Sequence, residues 1–455
     1  MSDPRVLNLW MNGEFVGRWW ARRGAEPVRL EYADTWRSSP RARPISLSLP
    51  FTASVDALRG TVVEQWFDNL LPDSETIRAR LAARHHVDGR NAHALLGAIG
   101  RDCAGALQLT PDGEEPGRVD RMAHRPLTAT QVAERLQGIP ELRPFGRSDH
   151  GDDDLRISIA GAQEKTALLW HQGQWCLPEG NTPTTHIFKL PLGEITILKA
   201  NFSTSVENEW LCMRLLGAMG LSVAASEIGR FPGSQDEVKA LIVERFDRRP
   251  TVTDGNAWIA RLPQEDCCQA TGTAASLKYE SDGGPGLARI LALLAGGEAP
   301  ETDARTFVLA QLAFWLLAAP DGHAKNFSIS ILAGGRYRLT PLYDVLSAWP
   351  IIGPGAREMH LSTVKLAMGV RGSSGLHRHL NKIHLTHWRR LALSTGVPGL
   401  FDAMIAMVDG VPATLATVEP QLPPKFPPQV WERIRDGMLQ QRERFQAALV
   451  AGADE

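Results

Sequence analysis

Cysteine is scarce in this chain: Cys103, Cys176, Cys212, Cys267 and Cys268 are five thiols among 455 residues. The number is odd and no pair has C-x-x-C spacing. That argues against a disulfide framework and against a cysteine zinc site, and for inert thiols in a reducing compartment. Long apolar runs are missing too. The longest, Leu312 to Ala319, is far below the roughly 20 residues that cross a bilayer. The opening Met-Ser-Asp-Pro-Arg has no signal-peptide pattern. Nor is there an excess of one charge. The 49 Lys and Arg against 51 Asp and Glu leave a net charge of −2, so any nucleic-acid contact must come from a local patch. No internal repeat is visible. These absences predict a cytoplasmic protein with no membrane partner.

What is present is ordinary for a globular protein, with 43% hydrophobic and 22% charged residues. The length suits two or three packed units. Val6 to Trp20 alternates apolar and polar residues around Asn12-Gly13, which predicts a hairpin. Residues from Val62 to Ile99 have helical periodicity. Asp149 to Asp154 reads as an acidic, exposed loop around Gly151. Strand-like runs follow at Ala167 to Trp170, His186 to Leu190 and Lys239 to Val243, interrupted by a helix over Val206 to Met219. Beyond Asp247 the pattern becomes helical, at Ala288 to Leu294, Thr306 to Ala319, Phe401 to Val408 and Val430 to Leu449. One hairpin is expected there, Phe327 to Leu332 turning at Gly334-Gly335 into Tyr337 to Thr340. A β-rich first half and a helical second half predict two lobes.

The strongest local signal is Asp321-Gly-His-Ala-Lys-Asn326, followed by that hairpin and Leu342-Tyr343-Asp344. Protein kinases use this spacing in their catalytic loop. One Asp accepts the proton of the substrate hydroxyl, and the Asn and a later Asp hold magnesium. Magnesium prefers oxygen ligands, and the incoming hydroxyl needs a carboxylate in line. The competing reading is a polar turn opened by Asp-Gly. A second signal is Ile157-Ser-Ile-Ala-Gly-Ala-Gln-Glu-Lys-Thr166. It fails the Walker pattern because Glu164 stands where the second Gly belongs, and a carboxylate there would repel phosphate. A loop of small residues with backbone N–H groups facing phosphates is still open to it, as is a tight turn between strands. A third signal is Lys189 within the strand-like His186-Ile-Phe-Lys-Leu190, and a fourth is Val243-Glu-Arg-Phe-Asp247 at the change of pattern. The order of small-residue loop, strand Lys, hinge, catalytic loop and metal Asp is the kinase order.

At this point the sequence resembles the HipA family of toxin kinases. The resemblance rests on Arg156 to Thr166, Thr184 to Lys189, Val243 to Asp247, Leu262-Pro-Gln-Glu-Asp266 and Lys278 to Gly286. It continues through Asp321 to Asn326, Leu339 to Asp344 and Lys365-Leu-Ala-Met-Gly369. It implies an α+β, two-lobed protein-kinase or phosphatidylinositol-kinase-like fold. Residues 1–110 would form a small β-containing unit, 111–246 a mixed N-lobe and 247–455 a helical C-lobe. It implies ATP and Mg2+ as cofactors and serine/threonine phosphorylation as the reaction. Asp321 would be the base, Asn326 and Asp344 the metal ligands, and Lys189 a phosphate ligand. The loop of Ala160, Gly161, Ala162, Gln163 and Lys165 would cover ATP. Glu244 and Phe246 would meet adenine, with His323 and Lys325 beside the phosphates. Glu207 and Glu209 are both candidates for the partner of Lys189. Ser158 would be an autophosphorylated off-switch, because it precedes the loop over ATP. The resemblance also implies an aminoacyl-tRNA synthetase substrate (glutamyl-type) and a dimeric helix-turn-helix antitoxin, HipB-like, that carries the chain to operator DNA.

Two other readings compete with this one. A P-loop ATPase is opposed by Glu164. An inactive kinase-like scaffold within a repressor–DNA complex has one support. Leu366 to Leu400 contains no Asp or Glu but has Arg371, Arg378, Lys382, Arg389 and Arg390 with four histidines. Arg378 and Lys382 are its DNA-contact candidates, the bland alternative being a solvated basic helix. The histidines could also suggest a metal site, but nothing in the sequence supplies the groups that would orient them.

Overall fold

A computed structural model describes the chain apart from residues 1–4, 23, 25, 53–56, 142–156, 159–162, 164, 196–199, 234–235, 356–357 and 453–455. The expected acidic loop at Asp149 to Asp154, and Ala160, Gly161, Ala162 and Glu164 of the small-residue loop, lie outside the described residues. The chain divides into two compact units. The first comprises Met1–Leu190, Gly229–Ser276 and Ile329–Tyr337, and the second Pro191–Ile228, Leu277–Ser328 and Arg338–Glu455.

The first unit opens with the expected hairpin. Val6–Met11 pairs antiparallel with Glu14–Trp20. The turn residues Asn12 and Gly13 have φ of 48° and 85°, which fits a two-residue turn needing two left-handed residues. These strands belong to a five-stranded sheet ordered Leu58–Arg59, Arg29–Tyr32, Glu14–Trp20, Val6–Met11, Leu107–Pro111. Helices Thr61–Asp68, Glu75–His85 and Ala92–Ile99 share its core. In that core Trp19 stacks on Phe67 with ring centroids 3.8 Å apart. Burying aromatic surfaces of this size is worth several kcal/mol at about 25 cal/mol per Å².

A six-stranded sheet follows, ordered Ser226–Pro232, Glu237–Glu244, His186–Lys189, Lys165–His171, Gln174–Glu179, Ala123–Pro126. Its apolar face, with Leu168, Phe188, Ala240 and Ile242, packs with Val132 and Leu136 of the helix Ala129–Glu141. Ser158 lies in the short strand Ile157–Ser158, which pairs in parallel with Asp102–Cys103.

A buried ionic network joins distant parts of the first unit. Arg245 makes a forked contact with Asp247, Nε to Oδ1 at 3.0 Å and Nη2 to Oδ2 at 2.9 Å. Arg248 donates to Asp102 Oδ1 at 2.9 Å and Arg261 to the same oxygen at 3.2 Å. The Thr184 hydroxyl donates to Asp102 Oδ2 at 2.6 Å, and the Gly105 N–H to Asp247 Oδ2 at 2.7 Å. Burial alone would push the Asp102 carboxyl up, but Arg248, Arg245 and Arg261 hold it well below the usual carboxylate range. Burial brings the Arg248 guanidinium down to about 10, with Arg245 beside it adding to the effect.

The second unit is mainly helical. Its helices include Ser205–Ala218, Leu287–Leu294, Pro300–Leu316, Leu385–Thr395, Leu400–Asp409, Val411–Val418 and Pro428–Ala451. Pro300–Leu316 runs through the core, with Phe307, Val308, Leu312, Ala313, Trp315 and Leu316 almost fully buried. The expected hairpin is present as Ser328–Ile331 and Tyr337–Leu339, with Gly334 and Gly335 at φ of 76° and 77°, and its stretch Ile329–Tyr337 belongs to the first unit. The expectation of only one hairpin beyond Asp247 needs correction. Arg248–Thr253 pairs with Asn256–Arg261 in the first unit, and Lys365–Arg371 pairs with Leu376–His379 in the second. The first of these turns on Asp254 and Gly255, at φ of 50° and 79°, the same chemistry as Asn12-Gly13. The basic segment therefore begins as a hairpin and only then becomes a helix. Among the described residues no single helix is long and apolar enough to cross a membrane. A bent pair, Leu400–Asp409 with Val411–Gln421, has the length and composition, but its Leu400, Met404, Val408, Val411 and Val418 are buried in the protein.

Candidate active site

The catalytic-loop candidates are held by the end of the core helix. After Leu316 the chain passes through Ala318, a non-glycine residue at φ 47°. The Ala318 carbonyl accepts the Ala348 N–H at 2.8 Å, and the Leu317 carbonyl accepts the Ser347 hydroxyl at 2.6 Å. Asn208, on the helix Ser205–Ala218, clamps Ser347 from the other side, accepting its N–H and donating to its carbonyl. The loop that follows has a fixed backbone. The Asp321 carbonyl accepts the His323 N–H at 2.8 Å and the Asn326 side-chain amide at 2.7 Å, and Asn326 N–H returns to the His323 carbonyl at 2.9 Å. Gly322 is required by packing, since a Cβ there would lie 2.5 Å from the Phe314 ring. Every residue from Gly322 to Ile329 is buried, whereas the Asp321 side chain is 56% exposed. The loop thus presents one carboxylate to the outside on a rigid base.

Asp344 is positioned by its own anchors. Leu342 N–H donates to the Ser222 carbonyl and the Leu342 carbonyl accepts from Ala224 N–H, both at 2.8 Å. The Tyr343 hydroxyl donates to the Lys325 carbonyl at 2.9 Å and meets the Ser328 hydroxyl at 2.5 Å. Asp344 then takes φ of 61°. Asp tolerates this left-handed region better than most residues, but it still costs energy, and such strain clusters at functional sites. The backbone at Asp344 is thus set by its fixed neighbours.

His323 is almost fully buried at 4% exposure. Burial lowers its basicity. Lys278 acts in the same direction, and Asp321 and Asp344 oppose it. Its Nε2 is 3.9 Å from Asp321 Oδ1, beyond a hydrogen bond. Among the described residues its Nδ1 meets no hydrogen-bond partner. Tyr279, which sequence reasoning did not single out, donates its hydroxyl to Asp321 Oδ1 at 2.6 Å. Its ring meets the His323 ring edge-on, centroids 4.9 Å apart. It stands 42 residues before Asp321, so no local spacing could have found it. The only sequence signal was its place in the segment Lys278 to Gly286.

The structure thus gathers Asp321, His323, Lys325, Asn326 and Asp344 in the second unit. Their donor set fits a magnesium–nucleotide complex. Mg2+ usually takes one or two protein oxygens and completes its shell with phosphates and water, and Asn326 and Asp344 offer an amide oxygen and a carboxylate. Among the described residues no group of three or more His, Cys, Asp or Glu could hold a metal ion by itself.

The other expected groups lie mostly in the first unit. Lys189 ends its strand at 6% exposure and is the direct cross-strand partner of Lys165. The Gln163 side-chain amide donates to the Leu190 carbonyl at 2.6 Å. Glu244, exposed, is paired with His186 at the strand end, and Phe246 is half-buried between the network residues Arg245 and Asp247. In the second unit Glu207 and Glu209 are both buried. Of the DNA-contact candidates, Lys382 is exposed, while Arg378 Nε donates to Glu280 at 3.2 Å.

Comparisons with known proteins bear on the family. Residues 157–415 match the HipA-like C-terminal domain and residues 7–110 the HipA N-terminal domain. Y4mE of Sinorhizobium fredii, whose name gives it provisionally as a kinase, is 34% identical over 422 residues, 91% of this chain and 92% of that protein. The serine/threonine-protein kinase toxin HipA of Shewanella oneidensis is 29% identical over 360 residues, 76% of each chain. A solved structure of the Shewanella oneidensis toxin–antitoxin system, HipA with HipB and operator DNA, has the same fold. Its TM-score is 0.78 at 24% identity, over 99% of both chains. With two family domains spanning most of its length and a relative alike from end to end, the chain belongs to the HipA family.

Proposed function

We propose that this protein is the kinase toxin of a toxin–antitoxin pair, transferring the γ-phosphoryl group of ATP to serine or threonine. The observation that carries the reading is the loop itself: an exposed Asp321 on a buried, hydrogen-bonded base, followed by Asn326 and a left-handed Asp344. Asp321 takes the proton of the acceptor hydroxyl. Asn326 and Asp344 would hold Mg2+, which when bound neutralises charge on the phosphates. Lys165 and Lys189 stand opposite each other on paired strands, and a lysine ammonium makes strong, charge-assisted hydrogen bonds to phosphate oxygens. Gln163, Glu244 and Phe246 would contact the nucleotide, with His323 and Lys325 beside the phosphates. His323 is suited to that position as a neutral donor, since burial disfavours its charged form. The substrate we infer is an aminoacyl-tRNA synthetase, glutamyl-type. The partners are a HipB-like helix-turn-helix antitoxin dimer and, through it, operator DNA. Support comes from family membership and from the Shewanella oneidensis complex of HipA, HipB and operator DNA.

The test is phosphoryl transfer from radiolabelled MgATP. Asp321→Ala and Asp344→Ala should each lose activity by about 100-fold or more while melting normally. Near-normal transfer by a folded Asp321→Ala protein would end the kinase reading. Phosphoproteomics after brief expression should find a phosphorylated synthetase and phosphate on Ser158. A phosphorylated form that binds ATP as tightly as the unmodified one removes the off-switch.

A further inference from the structure

The candidate base has one remaining freedom. Its main chain is fixed by the His323 N–H and the Asn326 amide on its carbonyl. The carboxylate itself is more than half exposed, and in water such a group rotates broadly about its last torsion. The Tyr279 hydroxyl, 2.6 Å from Oδ1, removes that freedom.

Tyr279 is itself held by its chain neighbours and by the His323 ring. The carbonyl of Lys278, before it, accepts the Ala324 N–H from the catalytic loop at 3.2 Å. Its own carbonyl accepts the N–H groups of Asp282 and Gly284, both at 3.0 Å. The next residue, Glu280, accepts the Gly369 N–H at 2.7 Å and the Arg378 guanidinium at 3.2 Å. The ring is braced against buried His323. The phenol is therefore a fixed donor aimed at one carboxylate oxygen. A surface tyrosine making a chance contact would have no such framework.

We propose that Tyr279 is a positioning residue for the acceptor step. Its phenol pins Oδ1 of Asp321 and turns Oδ2 toward the incoming hydroxyl. The inference rests on the kinase reading of Asp321. In the step, the acceptor O–H proton passes to Oδ2 as the acceptor oxygen bonds to the γ-phosphorus. The bond from that phosphorus to the β–γ bridging oxygen breaks, and ADP leaves with the bond's electrons. Tyr279 keeps its proton throughout and acts by orientation, which governs how often the base stands in line.

The experiment compares wild type, Tyr279→Phe, Tyr279→Ala and Asp321→Ala with radiolabelled MgATP. Phosphate on the chain itself and on added casein is the readout. Phenylalanine keeps the ring against His323 and removes only the donor. The expected result is a loss of about tenfold to a hundredfold in kcat, the range for a hydrogen bond to a charged group, with the KM for MgATP unchanged. Tyr279→Ala should lose little more. Wild-type rates in Tyr279→Phe, faster rates, or a loss confined to KM would each overturn the proposal. Faster rates would mean that the phenol occupies the acceptor's place. If Tyr279→Phe melts early, the pair 4-aminophenylalanine and 4-fluorophenylalanine at position 279 keeps the ring and respectively keeps or removes the N–H or O–H donor. A kcat retained in the first and lowered in the second supports the proposal, and equal rates in both overturn it. Wild-type protein with no Asp321-dependent transfer would instead overturn the kinase reading and this inference with it.

Discussion

Glu265 is buried at 1% exposure, its Oε1 accepting the Leu47 N–H at 2.8 Å and its Oε2 the Trp66 indole N–H at 2.9 Å. Burial pushes its carboxyl up to about 7, against the hydrogen bonds that favour the carboxylate. An acid whose folded value is raised contributes its full stability below the unfolded value near 4.3, and loses it as pH rises toward the folded value. Stability from this group should therefore fall between about pH 4.5 and 7, by roughly 3 kcal/mol if no other group compensates. Glu265→Gln should flatten that slope. It should also lower the baseline in acid, because the amide nitrogen cannot accept one of the two N–H bonds. Urea titrations at several pH values measure both effects, and an unchanged slope assigns the titration elsewhere. At this scale the sequence was readable where close spacing brings residues together. Asp321, Asn326 and Asp344 lie within one loop–hairpin–loop, and the bonds that fix the Asp321–Asn326 backbone are local, whereas Leu342 beside Asp344 is anchored by the distant Ser222 and Ala224. Tyr279 and Glu265 were not readable, because their partners come from segments far along the chain and only the packed fold brings them together.

Among elements, the hairpins divide in the same way. Asn12-Gly13 and Gly334-Gly335 announced their turns, and both pairs take left-handed φ. Asp254-Gly255 carries equal turn chemistry, but the strands beside it lack clean alternation. Arg248, Arg249 and Pro250 begin one of them. Arg248 and Arg261 are buried because Asp102 meets them, so the polar residues that blur the strand pattern are the ones facing inward. That network fastens the strand Asp102–Cys103 to the end of the strand Glu237–Glu244 and to the hairpin after it. Breaking a buried ion pair from one side typically costs about 3–5 kcal/mol, because the stranded charge has lost its partner. Asp102→Ala should be destabilised by that amount in chemical denaturation followed by tryptophan fluorescence. A loss under about 1 kcal/mol would mean that Asp247 and the backbone carbonyls suffice for all three arginines.

For the whole molecule, a net charge of −2 hides an uneven distribution. The acid-free stretch from Leu366 to Leu400 presents exposed Lys382, Arg389 and Arg390, while Arg378 is already engaged by Glu280. If this stretch meets operator phosphates beside a helix-turn-helix antitoxin, Lys382→Glu should reduce the slope of log affinity against log salt by about 1. Arg378→Glu would also break the contact with Glu280, so its effect should exceed its share of phosphate contacts. An unaltered slope in Lys382→Glu, measured by fluorescence anisotropy of labelled operator, removes the segment from the interface. The α+β class and the kinase order of motifs were legible in the sequence because they follow chain order. The composition of the two compact units was not, since each is assembled from three separated stretches of chain.

The two family domains end and begin at residues 110 and 157, as though the chain were two exchangeable cassettes. The ionic cluster contradicts that bookkeeping. Asp102 belongs to the first cassette, and Arg245, Arg248 and Arg261, which it neutralises, belong to the second. A gene split or recombined between them would hand one product three buried guanidiniums with a single carboxylate, and the other a buried carboxylate with none. Inheritance should therefore keep the two halves together, and a swap between relatives should succeed only when position 102 and its three arginines travel as a set.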